Sequence, residues 1–143
     1  MTTLKVIQTT EVEDYVLQLA DRLEAQYKEY HVKSLTQFTS QWANKQLEDV
    51  KNGTANLMRF VVTKGRKYFK ITAHEYDTFQ DRNEYKEGSV NCFVNKNTGE
   101  VHKPASWKSP LKNVRYDLRI IKEREYVYEN CDWAGGWLYL RRG

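Results

Sequence analysis

The sequence predicts an α+β fold: two N-terminal helices packed on one face of an antiparallel β-sheet of four to six strands, in a single domain covering residues 1–143. Three observations carry this reading. Apolar residues recur at helical spacing through the first third of the chain. After Gly53 the period switches to two. Glycine-containing turn clusters then separate the alternating runs.

The helices come first. Thr9 or Thr10 is placed to cap a helix whose first turn holds Glu11, Glu13 and Asp14, matching the helix dipole. Val12, Tyr15, Val16, Leu19, Leu23 and Tyr27 follow on one face, so an amphipathic helix is predicted to about Tyr30. Ser34 is the cap expected for a second helix. There Phe38 and Trp42 stand four apart, as do Ala43 and Leu47, and the aromatics are expected in the core. Asn52-Gly53 supplies the stop.

The strands follow. Met58, Phe60 and Val62 alternate with Arg59 and Val61, and Phe69, Ile71 and Ala73 alternate with Lys70, Thr72 and His74, with a turn at Lys64-Gly65. Asp77 to Gly88 is polar and acidic and reads as a loop or a frayed helical turn. Ser89 to Lys103 reads as a hairpin. Val90, Cys92 and Val94 alternate with Asn91 and Phe93, and Asn95 to Gly99 makes the turn. Between Lys103 and Arg119, Pro104 and Pro110 predict an ordered loop in place of a long helix. From Val114 the residues alternate again, which fits a fifth strand; a short helix from Lys112 fits as well. Trp137 to Leu140, after Gly135-Gly136, reads as a closing strand.

The length suffices for a real core. No run approaches the ~18 apolar residues of a membrane span, and no secretory signal pattern opens the chain. Cys92 and Cys131 are therefore expected to be free thiols in a cytoplasmic protein. The net charge of +4 is unevenly spread. Residues 1–50 hold 5 basic and 8 acidic side chains, whereas residues 103–124 hold 7 and 2. That basic segment concentrates anions.

No nucleophile stands with an activating base, and no phosphate-loop, dinucleotide or zinc-protease pattern is present. His31, His74 and His102 are dispersed. Cys92 and His102 approach across the central hairpin, but two ligands are too few for a structural zinc site. No catalytic residue, metal or cofactor is predicted. The remaining candidate is the basic-aromatic segment: Lys103, Ser106, Trp107, Lys108, Lys112 and Arg115. Lysine and arginine bind phosphate oxygens, an indole stacks on a base, and Ser106 offers a hydroxyl. These six are expected to converge on one anion site.

The run from Phe93 to Pro110, FVNKNTGEVHKPASWKSP, resembles a motif of a family of small, mostly unannotated tailed-bacteriophage proteins. In that family a strand ending FV(D/N) leads into TG(D/E)V and then K-x-A-S-W-K-x-P-x-K-x-x-R. Lys112 and Arg115 match the last two basic positions, and Tyr116 departs from the small residue expected next. The resemblance implies phage origin and action in the cytoplasm of an infected bacterium, and it implies no catalytic mechanism. In that setting the expected function is non-enzymatic binding of a nucleotide-type anionic small molecule, by analogy with phage proteins that sequester immune second messengers. A nucleic-acid-binding accessory protein ranks second, since a long basic stripe is lacking. A virion or host-protein interaction module ranks third and a cyclic-nucleotide phosphodiesterase fourth. No membrane partner is expected. Tyr126, Tyr128, Trp133 and Trp137 exceed what one small core absorbs, so a homo-oligomer is expected.

Overall fold

The computed structural model describes residues 10–139. Helix α1, Glu11–Leu35, is capped by Thr10, whose Oγ1 accepts from the Glu13 N–H at 3.0 Å. Thr9, the other cap candidate, lies outside the described residues. Val12, Val16, Leu19, Ala20 and Leu23 form its buried stripe. The helix runs beyond Tyr30 because no breaker intervenes before Thr36, and Leu35 gains burial by staying helical. Ser34 is thus inside α1. The cap of α2, Gln41–Asn52, is Ser40, and Gly53 ends α2 in the left-handed conformation.

Helix α2 packs on α1. It turns Ala43 and Val50 inward. Phe38 and Trp42 are 58% and 62% exposed, which corrects the expectation that they lie in the core. Trp42 neighbours Ala43 and so sits about 100° around the helix from the buried stripe; the small Ala43 makes the close contact instead.

Five antiparallel strands follow as a meander: β1 Arg59–Lys64, β2 Tyr68–Asp77, β3 Glu84–Asn95, β4 Glu100–Pro104 and β5 Pro110–Asp117. The β1–β2 turn lies at Gly65 to Tyr68, since Lys64 pairs with Phe69. Half of Asp77 to Gly88 is strand, and the expected helical turn is confined to a 3-10 turn at Phe79–Asp81. Glu75, Tyr76 and Asp77 pair with Lys86, Tyr85 and Glu84, and only residues 78–83 connect β2 to β3. This outer end of the hairpin reaches past the start of β1, so polar residues suit it. The Asn95–Gly99 turn forms as predicted. Gly99 has φ +79°, and a Cβ there would meet Arg119 Cγ at 2.9 Å.

Pro110 opens β5, which ends at Asp117, and helix α3 begins at Ile121 and runs to Asn130. The prolines bracket a loop of only five residues, 105–109. Trp137 belongs to a 3-10 turn, Gly136–Leu138, not to a closing strand; Leu140 lies outside the described residues. The indole dives under the sheet and stacks on Tyr116 at 5.7 Å.

Register separates the two faces of the sheet. Phe69, Val94, Val101 and Tyr116 form a buried row facing α1 and α3, with Ile71 and Cys92 beside it. Thr63, Lys70, Phe93, His102 and Val114 form a row on the other face. Cys92 and His102 therefore lie on opposite faces. Between Ile71 and Thr72 the β3 partner jumps from Cys92 to Val90, leaving Asn91 as the extra residue of a bulge. Its buried amide donates to the carbonyls of Asp132 at 3.2 Å and Trp133 at 3.3 Å and accepts from Trp137 Nε1 at 3.2 Å.

Replacing Asn91 with alanine removes all three bonds and leaves buried partners unsatisfied. The expected cost is about 2–3 kcal/mol, a fall in Tm of roughly 5–10 °C. A calorimetric Tm unchanged from wild type would show that Asn91 does not hold the C-terminal segment.

Candidate functional site

The sheet face opposite the helices is built around Lys70. Its Nζ donates to the Trp107 carbonyl at 2.7 Å, lies 4.1 Å from the Trp107 ring centroid and 5.9 Å from that of Phe93. The β4–β5 loop is thereby drawn back over the sheet. Tyr68 stands edge-on to Phe93 and to His102, and Lys67 Nζ lies 5.9 Å from its ring. His102 Nδ1 donates to the Leu111 carbonyl at 2.8 Å, since a carbonyl oxygen can only accept. Phe93 and His102 are buried beneath this layer, while Trp107 stays 39% exposed.

The loop holds its own shape. The Ala105 and Ser106 N–H groups both donate to the Ser109 carbonyl, at 2.9 and 3.1 Å. Ser106 Oγ accepts from the Lys108 and Ser109 N–H groups and lies 3.0 Å from Ser109 Oγ. The hydroxyl of Ser106 is thus committed within the loop, and its structural role is to fix the backbone that carries Trp107 and Lys108.

Ser106, Trp107 and Lys108 sit together. No hydrogen bond or ring contact joins Lys103, Lys112 or Arg115 to them among the described residues. Lys103 Nζ lies 3.7 Å from the Tyr139 ring centroid. Lys112 is exposed on β5. Arg115 is half-buried at a register shift of β5, with Nε enclosed and unpartnered. Four cavities among the described residues are lined by α1, residues 55–59, the β2–β3 hairpin and residues 128–134, with no residue of 103–115.

Sequence reasoning missed Lys67, Lys70 and Lys96. Lys96 Nζ donates to the Gly65 carbonyl at 3.0 Å, which brings the β3–β4 turn against the β1–β2 turn. Lys64, Arg66, Lys67 and Lys96 therefore share one end of the sheet, and among the described residues one of them, Lys64, is paired with a carboxylate, Glu13, at 3.4 Å. The signal was present in KGRKYFK, four cations in seven residues. From this end a track of alternating cations and rings runs through Tyr68 and Lys70 to Trp107.

The C-terminal aromatics behind the expected self-association pack largely within the chain. Trp137 is buried, the Tyr128 hydroxyl donates to the Tyr15 carbonyl, and Trp133 rests on Tyr27 and Tyr30. Among the described residues no three His, Cys, Asp or Glu side chains lie close enough to hold a metal, and no helix is long and apolar enough to cross a membrane.

These features define an α+β domain with helices on one sheet face and a cationic, aromatic second face. The chain belongs to a family of unknown function (DUF7717), whose family model matches residues 2–140. No curated protein and no solved structure matches it.

Both cysteines are buried and free. Burial pushes the Cys92 thiol far above its ordinary range and the Cys131 thiol up to about 11. At pH 8 the reactive thiolate of Cys131 is then on the order of one molecule in a thousand. Iodoacetamide at pH 8 is expected to leave both thiols intact in the folded protein and to modify both in guanidinium chloride. Rapid labelling of the native protein, read by mass spectrometry, would contradict the burial of these groups.

Proposed function

We propose that this protein binds nucleotide-type anions without chemistry, on the sheet face opposite the helices. The observation that carries the reading is the Lys70–Trp107 pair. An exposed indole is held in place by its own carbonyl, beside a cation, on a face that no helix covers among the described residues. Trp107 supplies a stacking surface for a base, and Lys70, Lys108 and the Arg66-Lys67 turn supply phosphate partners. Because these groups are strung along a surface and line none of the four cavities described above, a single-stranded nucleic acid fits better than a free nucleotide. Small ligands favour concave sites that cover most of their surface.

A free nucleotide, such as an immune second messenger, is the second reading. It is favoured by the compact 105–109 loop, which presents one indole and so one base platform. The resemblance to a tailed-phage motif supplies the setting for both, the cytoplasm of an infected bacterium. Self-association also belongs to this proposal, and its surface moves to the exposed Phe38 and Trp42. Light scattering tests that part; a monomer mass at micromolar concentration would remove it.

Fluorescence anisotropy with a labelled oligothymidylate, competed by mononucleotides and cyclic dinucleotides, tests the binding reading. The oligonucleotide is expected to bind with an affinity that falls as salt rises. Trp107→Ala is expected to weaken binding by roughly 10-fold, since a stacked base contributes ~1–3 kcal/mol. Lys70→Met is expected to weaken it further by freeing the loop, with Tm nearly unchanged for Trp107→Ala. Tighter binding of a cyclic dinucleotide would select the second reading. Binding of neither class would sink the proposal.

A further inference from the structure

The two edges of the sheet differ. At one edge α1 packs on β1, and the Phe60 N–H donates to Glu24 Oε2 at 2.8 Å. At the other, β5 pairs with β4 alone. Glu123 closes the far end of β5, where its Oε1 accepts from the Asp117 N–H at 2.8 Å, and His102 takes up the Leu111 carbonyl near the start. Between these points, among the described residues, no hydrogen bond outside the ladder to β4 reaches the backbone of Lys112, Asn113, Val114 or Arg115. Such an edge presents N–H and C=O groups that a further extended chain can pair.

The edge also carries charge of one sign. Residues 101–116 contain Lys103, Lys108, Lys112 and Arg115 and no aspartate or glutamate. Lys112 is exposed and Arg115 half-buried. Neither lies within ion-pair distance of a carboxylate among the described residues. Arg115 is the extra residue where the β5 partner of β4 jumps from Tyr116 to Val114, and its Nε is enclosed without an acceptor. A cation partly removed from water and left unpaired carries a desolvation cost that an incoming carboxylate offsets. Neither Lys112 nor Arg115 contacts the Lys70–Trp107 pair among the described residues.

We infer that the β5 edge is a docking site for an extended acidic segment of a partner protein, which adds as a strand beside Lys112–Arg115 and places a carboxylate at Arg115. Charge and hydrogen bonding select against the other occupants. A β5 strand from a second copy would bring Lys112 and Arg115 against their own kind, and like charges opposed across strands are destabilising. A DNA strand has the right charge, but its backbone only accepts hydrogen bonds and leaves the outward carbonyls of β5 without a donor. A peptide supplies a donor and an acceptor at each residue. Val114, 44% exposed on the open face, and Tyr126 of α3, 40% exposed with its ring 5.7 Å from that of Tyr116, offer apolar contact on the two sides of the added strand.

The test is two-dimensional NMR of the full chain, titrated with an acetylated octapeptide that alternates glutamate and threonine. Saturable shifts of the Lys112 to Arg115 amide signals are expected, and binding is expected to weaken as salt rises. A peptide with lysine in place of glutamate is expected to leave these signals unmoved. So is the glutamate peptide N-methylated at every residue, which keeps its charge but cannot pair as a strand. Arg115→Gln is expected to weaken binding tenfold or more without lowering Tm, because Arg115 makes no side-chain hydrogen bond or ion pair among the described residues. Lys112→Gln, at an exposed position, is expected to weaken it severalfold and serves where Arg115→Gln fails to fold. No saturable shift with the glutamate peptide would overturn the inference, as would equal binding of its N-methylated form. Shifts of these amides by oligothymidylate and not by the peptide would overturn it as well. Oligothymidylate is titrated separately with the Trp107 indole signal as its readout, so failure of the edge is distinguishable from failure of the sheet face.

Discussion

One buried amide organises the helix side of the sheet. A polar side chain enclosed in a core is tolerated only when its hydrogen bonds are made. Asn91 meets that condition with three bonds, all to the segment that follows α3. The bulge is what turns it inward, because the extra residue in β3 interrupts the alternation that would have placed Asn91 beside Phe93. From that anchor follow the burial of Trp137 against Tyr116, the position of Trp133 against α1, and the closeness of β2 and β3 at Gly88. The packing of Trp133 on α1 is thus a consequence of a defect in strand pairing.

Much of the fold is legible in the sequence where local chemistry decides it. Thr10 and Gly53 bound helices through hydrogen bonds and φ angles that neighbouring residues determine. Asn95 makes its own turn, with Oδ1 accepting from the Asn97 and Thr98 N–H groups. The failures lie where long-range packing decides. Asp77 to Gly88 hides two strand ends because neither of its faces is fully buried, so no alternation marks it. Trp137 reads as strand in WLYL, but its ring is captured by Tyr116 and Asn91, more than 20 residues earlier in the chain. Phe38 and Trp42 read as core from hydrophobicity alone, and α2 instead uses its smallest residue, Ala43, to approach α1.

The candidate site divides in the same way. Trp107 and Lys108 are visible as a basic-aromatic loop between two prolines. Lys70 is not, because only the register of β2 with β3 places it beneath a loop 37 residues away. Lys103 was grouped with Trp107 by proximity in sequence. It follows His102 directly in the strand, and that single step carries its side chain toward Tyr139.

This dispersal bears on the electrostatics. Cations gathered in a concave, dehydrated site repel one another strongly and require an anion for stability. Here the charges are spread over water-exposed backbone turns and one strand face, where screening acts within about 10 Å at ordinary salt. The face is therefore stable without a ligand. Such a surface favours a ligand with several phosphates spaced along a chain, because each contact is individually weak and their sum grows with length. The same sheet keeps its two faces chemically distinct, because the β2–β3 pair turns Lys70 to one face and Asn91, through its bulge, to the other.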